Sequence, residues 1–179
     1  MERRGEAHGA LSPLGKVNVT RGAHMSESVK VGTGKGSELI AFNIGSQEFC
    51  IGTTSVREIR GWTPATALPH APVFVLGVVN LRGVVLPIVD LAVRLGFPPT
   101  EPTARHAIIV VEFGKQVAGL LVDGVSDIFT AGEEQIQPTP DIAAETARLF
   151  LRGVIAMDGR LIGVIDIANL LPSPELVAA

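Results

Sequence analysis

Gly77-Val78-Val79-Asn80-Leu81-Arg82-Gly83-Val84-Val85-Leu86-Pro87-Ile88-Val89-Asp90-Leu91 is the stretch on which the fold of this 179-residue chain is decided. Two apolar runs, Val73 to Val79 and Val84 to Val89, flank the polar, glycine-containing turn Asn80 to Gly83, which is the pattern of paired β-strands. Pro87 has no amide hydrogen to give to a ladder, so the second strand lies at an edge or a bulge. The run ends at Asp90, whose carboxylate can cap a short helix continuing to Leu95.

The same grammar repeats on either side. Leu39 to Ile44, Gly45-Ser46 and Gln47 to Ile51 form one hairpin signal; Ile108 to Phe113, Gly114-Lys115 and Gln116 to Val122 form another. Gly153 to Met157, Asp158-Gly159 and Arg160 to Ile165 form a third, with the strongest turn, because Asp and Gly tolerate positive φ. Many short strands at regular spacing predict an all-β fold of small barrels. Pro87-Ile88-Val89-Asp90-Leu91-Ala92 is echoed by Gly163-Val164-Ile165-Asp166-Ile167-Ala168, so a second capped helix is expected to reach Leu171. Further helices are expected at Thr53 to Ile59 and Ile142 to Phe150.

Composition narrows the function classes. Apolar residues make up 46% of the chain and mean hydropathy is +0.37, yet Gly, Pro or a charge cuts every apolar run below membrane-spanning length. No apolar stretch follows Arg3 and Arg4 as in a signal peptide, so a cytoplasmic protein with no direct membrane insertion is expected. The single cysteine, Cys50, lies in the apolar run Phe49 to Ile51 and reads as a buried thiol. A net charge of −3 with scattered acids and bases, and only 4% aromatics, offers neither the electrostatic footprint nor the stacking platforms that nucleic acid requires.

Residues 1–37 are Gly-rich without apolar periodicity and are expected to form a disordered tail. Arg21 to Met25 is compatible with a ribosome-binding stretch ahead of a start codon at Met25, and equally with an ordinary flexible extension. The folded domain is expected over 38–172, with 173–179 as a short tail.

No catalytic constellation emerges. Asp90, Asp123, Asp127 and Asp166 are the carboxylates a hydrolase would pair, but Asp90 and Asp166 stand in capping contexts and Asp123-Gly124 reads as a turn. An aspartate-dependent β-barrel hydrolase stays as a distant alternative. His8, His24, His70 and His106 lack ligand spacing, so no metal is expected. There is no Gly-x-Ser-x-Gly elbow, and Gly32-Thr33-Gly34-Lys35-Gly36 lacks phosphate-loop spacing. No cofactor is expected. What remains is surface: the turn Asn80 to Gly83 and the segment Val56-Arg57-Glu58-Ile59-Arg60, read as a charged helix face.

The stretch Gly77 to Leu91 closely resembles the signature of the CheW family, the coupling proteins of bacterial chemotaxis. The resemblance extends to Val56 to Trp62, to Gly119-Leu120-Leu121-Val122-Asp123-Gly124-Val125-Ser126-Asp127-Ile128, and to Asp166 with Leu170-Leu171; it covers Glu38 to Pro172. It implies two packed five-stranded SH3-like barrels with a few short helices. It also implies a non-enzymatic adaptor that couples a CheA-type histidine kinase to methyl-accepting chemoreceptors at membrane receptor arrays. By the same resemblance Val56, Glu58, Asn80 and Arg82 are receptor-binding positions, and Gly77 and Ile128 belong to kinase or receptor coupling. Gly52-Thr53 departs from the family pattern of an acidic residue followed by an aliphatic one. A coupler of a non-flagellar chemosensory pathway is the alternative within this class.

Overall fold

The computed structural model describes residues 36–140 and 145–173. The expected tail up to Lys35, the proposed start at Met25 and the end of the chain from Pro174 lie outside the described residues. Eleven strands and three short helices are present among them: β1 (Gly36–Ile44), β2 (Gln47–Gly52), β3 (Val56–Gly61), β4 (Val75–Leu81), β5 (Val84–Asp90), α1 (Leu91–Arg94), β6 (Ala107–Phe113), β7 (Gln116–Val122), β8 (Gly124–Gly132), β9 (Ile136–Gln137), α2 (Glu145–Phe150), β10 (Leu151–Met157), β11 (Arg160–Ile165) and α3 (Ile167–Leu170).

The strands form two sheets, ordered β8-β1-β2-β11-β10-β9 and β3-β6-β7-β5-β4. The architecture is all-β and SH3-like in both halves, and the four hairpins legible in the sequence are all present. The sixth strand of the first sheet, β9, is two residues long and pairs Gln137 with Val154. Its counterpart in the second sheet is a single bridge, Thr66 with Val78.

That correspondence is part of an internal repeat. Asp90 and Asp166 each donate their amide to a phenylalanine carbonyl, Phe74 and Phe150 respectively, at 2.8 Å. Bulges fall at Val75/Gly77 and Leu151/Gly153, and Arg82 and Asp158 share a positive φ of 52° and 51°. The hairpin β6–β7 stands beside β5 as β1–β2 stands beside β11, each through a parallel ladder. The N-terminal hairpin therefore completes the C-terminal barrel, and the first sheet takes chain from both sides of the second, which is built from the continuous stretch Val56 to Val122.

Near-continuous apolar runs in β1, β2, β6 and β7 are explained by burial on both faces. In β6, Ile108 and Val110 point into the core enclosed by the second sheet, whereas Ile109 and Val111 point into the core shared between the sheets. In β2, Phe49 and Ile51 face the shared core while Cys50 faces the core of the first sheet. Burial pushes the Cys50 thiol up to about 12, with the charge of Glu48 adding to the effect.

Three expectations change. The helix expected at Thr53 to Ile59 is a 3-10 turn, Thr53–Ser55, followed by strand β3. Alternating burial along Val56–Gly61 is a period of two, and the edge of β6 supplies the ladder, so pairing overrides the local helical reading. Gly52 ends β2 and is not inside a helix. Asp123-Gly124 is no simple turn, because the nine-residue β8 begins at Gly124 and pairs with β1. That ladder takes in Gly36 and Ser37, so strand β1 begins two residues ahead of Glu38. Of the helix expected at Ile142 to Phe150, the described part is Glu145–Phe150; residues 141–144 lie outside the described residues.

Candidate functional site

The turn between β4 and β5 is built by its own side chains. Asn80 Oδ1 accepts the amide of Gly83 at 2.9 Å and closes the turn, while Arg82 and Gly83 take positive φ. Arg82 is thereby carried outward, its side chain 76% exposed. Its Nη1 donates to Glu58 Oε2 at 2.8 Å, and Arg60 Nη1 donates to the other oxygen, Oε1, at 3.3 Å. Glu58 is the more buried partner, 25% exposed. The pair joins β3 to the β4–β5 turn, and the two edges of the second sheet meet here over a narrow cleft of about 30 Å³ lined by Arg60, Asn80, Leu81 and Val110. Val84 and Val85, immediately after the turn, are exposed apolar residues that add an unpaired greasy rim.

The structure separates Val56 from Glu58. A bulge between them pairs Val56 with Val111 and Glu58 with Val110, and these two valines point to opposite faces of the sheet. Val56 consequently packs against the shared core, half-buried, and Glu58 turns toward Arg82. Gly77 has φ 149° and an added Cβ would overlap the carbonyl oxygen of Thr66, whose strand-like bridge to Val78 crosses at this point. Its glycine is required by close backbone approach.

Ile128 lies on the other sheet, in β8 opposite Ile40, and is 44% exposed. Its surroundings repeat those of Glu58: a bulge pairs Val125 with Phe42 and Asp127 with Ala41, so Asp127 holds the register position of Glu58, and Ile128 that of Ile59. Asp127 lies 3.6 Å from Arg160, which also donates to Glu48 at 2.9 Å. Exposed Leu161 stands where Val85 stands in the other half. Thus Glu58, Asn80 and Arg82 come together, Val56 and Gly77 flank them from within the fold, and Ile128 belongs to the equivalent surface of the barrel built on the first sheet. Sequence reading missed Val84, Val85 and the repetition of this surface on the other barrel; the echo between the Asp90 and Asp166 segments is the signal that points to it.

The aspartates occupy four different settings. Asp90, 1% exposed, accepts from Ala92 N at 3.1 Å and from both Thr100 N and Thr100 Oγ1 at 2.9 and 2.8 Å. Asp166 caps α3 through Ala168 N at 3.1 Å. Asp123 accepts the Gly45 amide at 2.6 Å and lies 3.5 Å from His106 Nε2, while Asp127 accepts from Ile128 N. Each carboxylate is engaged in bonds that shape the chain.

Residues 38–175 match the family model described as the CheW-like domain. The chain is 56% identical over 155 residues to the chemotaxis protein CheW of Rhizobium meliloti, covering 87% of this chain and all of that protein. It is 39% identical to the chemotaxis protein CheW of Klebsiella aerogenes, covering 79% and 85%. Among solved structures, the scaffolding protein TtCheW from Thermoanaerobacter tengcongensis superposes with a TM-score of 0.68 at 28% identity, covering 74% of this chain and 90% of that one. With a duplicated SH3-like architecture and a family match over residues 38–175, this chain belongs to the CheW family of non-enzymatic chemotaxis scaffolds.

Proposed function

We propose that this protein couples a CheA-type histidine kinase to the cytoplasmic tips of methyl-accepting chemoreceptors, acting in the cytoplasm and recruited to membrane receptor arrays. The observation that carries the reading is the exposed Arg82 guanidinium beside Glu58 and the apolar rim of Val84 and Val85. Glu58 uses one of the five N–H donors of Arg82, leaving donors for a carboxylate or backbone carbonyl on a receptor helix. Lysine, with a compact ammonium, does not reproduce that fork. Asn80 contributes by shaping the turn. Val56 and Gly77 act through the fold beneath it, and Ile128 offers an apolar contact on the other barrel for the kinase or a receptor.

Capture of partners from a lysate of the source bacterium on the immobilised protein, read by mass spectrometry, tests the proposal. Joint recovery of a histidine kinase and a chemoreceptor is expected. Recovery of neither would reject it.

A further inference from the structure

After β11, α3 packs beside α2, and the chain from Asn169 to Pro172 is also gripped by its main chain from the barrel of the second sheet. Arg94, at the end of α1, donates from Nε to Leu170 O at 3.0 Å and from Nη2 to Asn169 O at 3.5 Å. Gln116, in β7, donates from Nε2 to Pro172 O at 3.0 Å. Leu170 and Leu171 are buried in the shared core, so the segment is anchored by side chains on one face and by its carbonyls on the other.

Arg94 is the centre of this joint. Its guanidinium carbon sits 4.0 Å from the Phe74 ring centroid and 4.6 Å from that of Phe150. These are the two phenylalanines whose carbonyls receive the Asp90 and Asp166 amides, so one cation touches the same joint in both repeats. Leu170 is the repeat's counterpart of Arg94, 76 residues on. A leucine at that place in one half shows that the barrel needs no charge there. The arginine instead supplies donors to carbonyls that a helix end leaves without intrahelical partners.

We infer that residues 169–172 form a clasp between the barrels, keyed by Arg94, that opens as a local unit and sets how far the barrels can move against each other. The surfaces around Arg82 and Ile128 lie on different barrels, so the clasp governs their spacing. This consequence holds whichever partners those surfaces take.

The test uses the full chain and Arg94→Ala, Arg94→Leu and Gln116→Ala. Hydrogen exchange read by mass spectrometry should show amides of 166–173 exchanging at least about tenfold faster in both Arg94 variants, with the amides of β6 and β7 unchanged. Arg94→Leu keeps apolar volume, so its agreement with Arg94→Ala separates lost donors from lost packing. Spin labels at Val84→Cys and Leu161→Cys, one on each barrel, should give a single narrow distance in the parent and a broadened one with Arg94→Ala. Cys50 is buried and stays unlabelled. Acceleration spread evenly over both sheets, protection restored by leucine, or an unchanged distance distribution would each overturn the clasp.

Discussion

Arg82 and Glu58, 24 residues apart in sequence, meet at 2.8 Å across the two edges of one sheet. One partner is largely exposed and the other largely covered, so the pair joins the fold to the surface. Ion pairs in such settings add little to stability, on the order of 0–1 kcal/mol. Their residues are therefore open to a role toward partners, and substitutions there are informative.

Asp90 and Asp166 are equivalent in the repeat yet should respond differently to substitution. Asp166→Asn keeps a competent cap and should change stability by a few tenths of a kcal/mol. Asp90 also accepts from Thr100 with both oxygens, the hydroxyl at Oδ1 and the amide at Oδ2, and in asparagine the nitrogen that replaces Oδ2 cannot accept the Thr100 amide. Asp90→Asn should cost about 1–3 kcal/mol through an unsatisfied buried donor. Denaturant titration of both variants checks this; equal effects would show that capping is the whole role of Asp90.

Gly77 and Gly83 make a second contrast. Both have positive φ, but an added Cβ meets the Thr66 carbonyl at Gly77 and open space at Gly83. Gly83→Ala should cost about 1 kcal/mol. Gly77→Ala should cost more, about 1–3 kcal/mol of backbone strain plus the overlap. Thermal melting should place Gly77→Ala well below Gly83→Ala, and its partner binding should fall only with the folded fraction. Lost binding in a fully folded Gly77→Ala would assign that glycine to an interface.

Cys50 ties stability to alkaline pH. Its folded-state value near 12 lies above the ordinary thiol value of 9.0, so the thiol is held protonated in the folded chain. The stabilisation is complete below the unfolded value and is lost as pH rises from about 9 toward 12, because the unfolded chain releases its proton first. Between those limits the parent should lose more stability than Cys50→Ala does. At pH 8 a thiol reagent should modify Cys50 only as fast as the barrel opens; rapid labelling of the folded protein would contradict its burial.

The hairpins were legible because Gly45-Ser46, Gly114-Lys115 and Asp158-Gly159 punctuate apolar runs whose lengths suit strands. The capping aspartates were legible because a cap acts over two residues of sequence. Strand β3 was not, since Val56 to Arg60 has short-range features compatible with a helix and owes its extended form to β6, about fifty residues on. Strand β8 was hidden behind Asp123-Gly124 for the same reason: its ladder partner is β1, at the far end of the sequence. The site divided likewise. Asn80 and Arg82 announce themselves in a turn, whereas the Glu58 contact depends on a bulge and on two sheet edges closing, neither of which has a local signature.

The proposed coupling role is tested most directly at Arg82. Titration calorimetry of the parent and Arg82→Ala, against a chemoreceptor tip fragment and a kinase fragment in separate cells, measures it. With melting temperature nearly unchanged, receptor affinity should fall by about 2 to 5 kcal/mol if the contact is buried in the complex, and kinase affinity should survive. Undiminished receptor affinity in a folded Arg82→Ala would contradict the account.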